Sequence, residues 1–330
     1  MHIPSNKILK SNADLRLSQS GNARKVVLIY SGIITAMALL VTVVNYCLGL
    51  QISQMGGLSN MGMKSVLSTI QSVLPMIQSA VMLCLNIGYL AAMMRVTREQ
   101  YMSAQTLKLG FERFWLLLRV TILLYGVYLA LCLAASWIAA QLYMFSPFSG
   151  ALIEILTPYV SGTSMNMDFL LDEIVYAQVM NAMIPMLVLF GVIYLAFLTP
   201  FWYSYRMVNY LIVDHPGMGA LAVLRESKRM MKGHRMRLFK LDVSLWWWYL
   251  LSAALTVVAY GDTILSAMGV TLPFSADVGY FLFYFLFLAG QFAVFCFLSN
   301  RVEVTYAQVY EKLRPKEQSN GAVLGNIFQM

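Results

Sequence analysis

The chain has 330 residues, of which 59% are hydrophobic and only 12% charged, with 23 Lys and Arg against 15 Asp and Glu for a net charge of +8. So apolar a composition leaves too little polar surface to clothe a globule of this size in water, which excludes the water-soluble class. The positive balance does not single out nucleic acid as a partner either, because the cations are gathered beside apolar stretches, where they bias membrane topology and attract anionic headgroups.

Residues 1–25 form a polar amino tail carrying Lys7, Lys10, Arg16, Arg24 and Lys25. The first apolar run, Val26 to Leu50, begins too late and runs too long for a cleaved signal peptide, so it is expected to stay as a first span. Further runs follow at Val66 to Met94, Phe114 to Tyr143, Val179 to Tyr205, Leu241 to Tyr260 and Gly279 to Ser299. Each reaches the roughly 20 residues that cross hydrocarbon as a helix. Backbone in lipid must satisfy its own hydrogen bonds, and the alternation of a membrane barrel is absent. The expected fold is therefore all-α, a polytopic integral membrane protein with six transmembrane helices in residues 26–299 and a cytoplasmic carboxyl tail at 300–330.

All of the Lys and Arg residues except Lys64 fall at alternate gaps between these runs or in the two tails, counting Arg119, which lies just inside the third run, with the gap before it. Positive side chains are retained on the cytoplasmic side, so both termini are expected in the cytoplasm of a multi-pass cell-membrane protein. The opposite side holds Lys64 with Glu154, Asp168, Asp172, Glu173, Asp262 and Asp277.

Within the second run, Gln71 and Gln78 lie two turns apart about Pro75, and with Asn86 they form a polar stripe able to line a cavity. Hydrogen bonding between helices is the plainer role for such residues. The basic gap that follows contains Arg95, Arg98, Lys108 and Arg113, and Arg119 lies just inside the third run, where its side chain can reach the interface. Residues Met167 to Ile174, in the long acidic gap before the fourth run, are expected to form a short amphipathic helix on the outer surface, with a docking site for a basic peptide as the alternative.

The next basic gap is the more informative one. Asp214 is placed to cap a helix with Pro216 in its first turn. Beyond it, Leu221, Leu224 and Met231 share one face while Arg225, Lys228, Arg229 and Lys232 crowd the other, and Arg235 and Arg237 follow the break at Gly233. Such amphipathic cytoplasmic connectors lie in the membrane interface, where these six cations would meet anionic inner-leaflet lipid. Trp246, Trp247 and Trp248 come next; three successive indoles sweep about 200° of helix surface, so they read as interfacial anchors, with a ligand-stacking box as the sharper alternative.

The string from Ala222 to Leu245, with its Met231-Lys232-Gly233 and its Leu238-Phe239-Lys240-Leu241 ahead of tryptophan, resembles a signature of the bacterial multi-pass membrane family catalogued as domain of unknown function 975. Gly110-Phe111-Glu112-Arg113-Phe114, before the third run, and Tyr306-Ala307-Gln308-Val309-Tyr310-Glu311-Lys312-Leu313, near the carboxyl end, are similar to further family features. The family's Gly-Ile-Gly after the fifth run is reduced here to Gly261, and its Pro-Tyr before the carboxyl motif is missing. The resemblance implies a polytopic bacterial membrane protein and supplies no catalytic residue.

No reaction is expected from these residues. Cys47, Cys84, Cys132 and Cys296 have no paired spacing, and His2, His215 and His234 have no ligand spacing, so neither a metal nor a cofactor is signalled. Only Arg119 and Asp242 are charged within the runs, both near the basic ends, as interfacial anchors or a buried pair. Tyr260-Gly261-Asp262 lacks the second membrane carboxylate that an intramembrane aspartyl protease needs. The expectation is a non-enzymatic accessory, scaffold or envelope-maintenance factor, with membrane lipids and a membrane-protein partner. A permease or exporter component for an apolar or peptide solute is the alternative.

Overall fold

A computed structural model describes residues 4–55, 61–161, 164–165, 173–268, 270, 273 and 275–314. Among these residues the regular structure is helical apart from one two-residue antiparallel pair, Val160–Ser161 (β1) with Ser164–Met165 (β2). In chain order the helices are α1 (Asn6–Gln19), α2 (Ala23–Gln54), α3 (Met61–Thr97), a 3-10 turn (Ala104–Lys108), α4 (Leu109–Glu112), α5 (Phe114–Met144), α6 (Pro147–Leu156) and α7 (Glu173–Ser204). They continue as α8 (Val208–Asp214), α9 (Ala220–Met230), α10 (Arg235–Ser244), α11 (Trp246–Ala259), α12 (Gly261–Ala267), α13 (Ala276–Val294), a π turn (Phe295–Ser299) and α14 (Asn300–Leu313). The outer amphipathic helix expected at 167–174 lies largely outside the described residues.

Five helical stretches are long and apolar enough to cross a bilayer: Ala23–Gln54, Met61–Thr97, Phe114–Met144, Ala177–Asp214 and Asp277–Leu313. The fifth expected run, 241–260, is not one straight helix, because α10 and α11 meet at 62°. The break has a cause in the contacts at its carbonyls. Lys10 Nζ donates to the Ser244 carbonyl at 2.5 Å, and the Trp248 amide bonds to Leu245 O at 2.9 Å rather than to Ser244. A side chain inserted into the i→i−4 ladder bends a helix without proline or glycine.

The chain divides into two compact units, Met1–Leu117 with Met207–Met330, and Leu118–Arg206. In the first, the core gathers Ala13 of α1, Val26, Val27 and Tyr30 of α2, Tyr89 and Met93 of α3, and Val304 of α14. Tyr30 stacks on Tyr89 at 4.3 Å between ring centroids, and Phe295 meets Tyr30 edge-on. The connector after α3 folds back on it through two glycines. A Cβ on Gly88 would lie 2.3 Å from Leu107 O, and one on Gly110 would lie 1.9 Å from Cys84 O. Only hydrogen at those positions lets the two backbones touch.

In the second unit α5 and α7 pack through Ala135, Ala139, Ile193 and Leu198. Tyr128 and Tyr194 join hydroxyls at 2.6 Å, and the Tyr143 hydroxyl donates to Ala182 O at 2.8 Å. Small residues at i and i+4 allow the close approach that membrane helices use. Elsewhere these two helices expose Ile122, Leu129, Leu133, Leu187, Val188 and Leu195, large side chains suited to hydrocarbon rather than water.

Candidate functional site

The first unit gathers its charge where α3, α8 and α14 meet. Asp214, the last residue of α8, has a side chain only 7% exposed. Its carboxylate accepts from Arg98 at 2.9 Å and from the Tyr310 hydroxyl at 2.9 Å, with Arg314 Nε at 3.3 Å. Arg98 also donates to Glu311 at 2.7 Å. Tyr210 stacks on Tyr310 at 5.4 Å and donates to Glu303 at 3.3 Å. Arg113 donates to the carbonyls of Ile212 and Val213, so a cation caps the open end of α8.

Burial by itself lowers the Arg98 guanidinium, but the Asp214 and Glu311 carboxylates outweigh it and its pKa is raised. Arg113 is shifted the other way, because burial outweighs the pull of Glu112 and Asp214. Burial, and then the nearby charge of Arg301, lower Lys10.

Asp214 therefore does not cap the next helix. That helix, α9, starts at Ala220 behind Gly219, which has no capping side chain. Its buried face is also turned from the expected one: Val223, Ser227 and Met230 face the core with Met231, while Leu221 is 58% exposed. Spacing showed that the helix has two faces, and packing on α8 decides which one is inward. Gly233 closes α9 at φ +83°, a left-handed backbone that favours glycine.

Arg225, Lys228, Arg229 and Lys232 are exposed, Arg229 being paired with Glu226 at 2.8 Å. Arg235 and Arg237 are half-buried, and Arg237 donates to the Pro4 carbonyl, which ties α10 to the start of α1. Asn6 Nδ2 adds a bond to Lys240 O at 3.1 Å. Arg119 is exposed, whereas Asp242 accepts from the Tyr306 hydroxyl. Of the three tryptophans, Trp246 is exposed, Trp247 is half-buried, and Trp248 turns toward a cavity.

That cavity, about 520 Å³, lies among α2, α3, α11, α13 and α14 and includes the π turn in its wall. Gln78 and Asn86 line it, as the polar stripe implied, but Gln71 does not: its amide donates to Asn45 O at 3.3 Å. Thr35, Gln291, Ser299 and Glu303 add to the polar lining, and Tyr30, Tyr89, Phe287 and Phe295 are among the aromatic residues of the wall.

Residues Asn300 to Leu313 lie in the carboxyl tail expected at 300–330. They are helical and mostly buried, with Tyr306, Val309 and Tyr310 at 2% exposure or less. The signal was present as Val302, Tyr306, Val309, Tyr310 and Leu313, a helical period that runs on past the last apolar stretch. Among the described residues no group of three or more His, Cys, Asp and Glu is placed to hold a metal ion.

Together these features define an α-helical protein with several helices long and apolar enough to span a bilayer and a charged cluster around Asp214 in its larger unit. The sequence matches the family model described as protein of unknown function (DUF975) over residues 9–317, and the chain belongs to that family. No curated protein and no solved structure matches it.

Proposed function

We propose that this is a multi-pass protein of the bacterial cell membrane, crossing six times with α10 and α11 as a broken fifth crossing, and with both termini in the cytoplasm. It acts without catalysis, as an accessory, scaffold or envelope-maintenance factor that holds anionic inner-leaflet lipid and works beside a membrane-protein partner.

The observation that carries this reading is the presentation of α9 and α10. Val223, Ser227 and Met230 hold α9 in place while Arg225, Lys228, Arg229 and Lys232 stay open. On the helix that follows, Met236, Phe239 and Val243 are exposed apolar side chains. Open cations beside open apolar groups suit the headgroup boundary, where each basic residue adds about 1 kcal/mol of attraction to an anionic leaflet.

The test is lipid selectivity in proteoliposomes, measured by electron paramagnetic resonance with spin-labelled phosphatidylglycerol and phosphatidylcholine. The native chain is expected to prefer phosphatidylglycerol several-fold, and the variant with Arg225, Lys228, Arg229 and Lys232 changed to Gln to lose most of that preference. Equal selectivity in the two proteins would remove the lipid-holding role.

A second reading, a permease or exporter component for an apolar or peptide solute, draws support from the cavity beside Gln78 and Asn86. Solute flux in proteoliposomes that falls on Gln78→Leu would favour it.

A further inference from the structure

The cavity between α3 and α13 has an unusual balance of groups, and it is independent of the basic connector. Gln78 and Asn86 reach it from α3 and Gln291 from α13, and none of these carboxamides has a hydrogen-bond partner among the described residues. Each carboxamide offers two donors and an acceptor. In a setting of membrane helices such groups ordinarily bond to a neighbouring helix, because hydrocarbon gives them no other partner.

Two further wall residues carry buried polar atoms without protein partners, Trp248 Nε1 and Ser299 Oγ, and the Ser299 residue is only 4% exposed. The indole N–H can only donate, so it calls for an acceptor that the described residues do not supply. The π turn at Phe295–Ser299 places Ser299 in this wall, and π turns inside helices recur at functional sites.

Charge narrows the class of occupant. No Lys or Arg is among the described residues lining the cavity, so an anionic headgroup would find no cation there. Glu303, the one charged residue among them, already accepts from Tyr210 at 3.3 Å. Apart from Thr35, the rest of the wall is aromatic and aliphatic, three of its rings being tyrosines, a surface that suits an acyl chain. At about 520 Å³ the space falls within the range of small-molecule sites, roughly 300–1,000 Å³, and is too small for a folded peptide helix.

We infer that this cavity is a binding site for one uncharged amphiphile, a monoacylglycerol-type lipid whose hydroxyl and ester groups bond to Gln78, Asn86 and Gln291 and whose acyl chain runs along the aromatic wall. The ester and hydroxyl oxygens supply acceptors, and the hydroxyls also donate, which matches the two-way chemistry of the carboxamides.

Native mass spectrometry of the full chain in detergent tests this with three ligands of identical chain length, monooleoylglycerol, oleate and oleylamine. Monooleoylglycerol is expected to give a saturable single adduct, with oleate and oleylamine at least tenfold weaker. Gln78→Leu and Gln291→Leu should each weaken it about fivefold, the typical effect of one lost hydrogen bond. Trp248→Phe keeps most of the ring and should weaken binding by a similar factor. Gln71→Leu, outside the cavity, should leave it unchanged, and far-ultraviolet circular dichroism identifies any variant that has not folded.

Binding of oleate or oleylamine as tight as that of monooleoylglycerol overturns the assignment. So does full binding by a folded Gln78→Leu/Gln291→Leu double variant, or a loss in Gln71→Leu equal to that in Gln78→Leu. Failure of the connector's phosphatidylglycerol preference would leave this result untouched, because the two experiments read different residues and different lipids.

Discussion

A carboxylate on the last residue of a helix faces the negative end of the backbone dipole, so Asp214 is tolerable only because cations surround it. Arg98 and Arg314 supply them, and the Tyr310 hydroxyl adds a donor. Removing one partner of a buried ionic group strands the others, at a cost of about 3–5 kcal/mol. Asp214→Ala is therefore expected to lower the thermal midpoint in detergent markedly, and Arg98→Ala to do the same. Exposed Arg225→Ala should shift it little, and a scan of the three variants beside the native chain checks the ranking. Asp214 was legible as a residue that belongs at a helix end, but not at which end. The hydroxyl and the two guanidinium groups that decide the matter come from the residue just after α3 and from residues about a hundred positions later in the chain.

At the scale of elements, the most demanding contact is the seat of the 3-10 turn and α4 on α3. Gly88 and Gly110 each lie against backbone of the opposite segment, which cannot give way as a flexible side chain would. Gly110→Val is expected to lift α4 off α3, to expose Cys84, now 2% accessible, and to speed its alkylation by a maleimide reagent. Unchanged labelling of Cys84 would count against this packing. The long helices themselves were readable from hydropathy, since a bilayer imposes its thickness on any run that crosses it. The break at Leu245 was not, because neither neighbour is Gly or Pro and the group that causes it is a lysine 234 residues away. The buried face of α9 was hidden for a similar reason: its periodicity is a local property, while the choice of inward side belongs to the partner helix.

For the whole molecule, the distribution of Lys and Arg is the organising property. In the topology proposed above it orients the helices by the positive-inside rule, which predicts the segments that face outward. A phosphatase reporter fused after Gly150 should be active outside the membrane, and the same reporter fused after Arg314 should be silent. The reverse pattern at either point would overturn the orientation. The cavity was legible in part, through Gln78 and Asn86, because polar residues are conspicuous in an apolar run. Gln291, Trp248 and Ser299 joined it only in three dimensions, since they come from helices that the sequence could not place side by side.

The bond from Lys10 to Ser244 sets an order of events during biosynthesis. Chains emerge from the ribosome amino end first, so the lysine is made long before its acceptor. The angle between α10 and α11 is completed only after the nascent polypeptide has delivered its later segments and its beginning has been kept within reach. A bulky group attached ahead of α1 is thus an intervention in the assembly of the bend between α10 and α11, even though the two lie far apart along the chain.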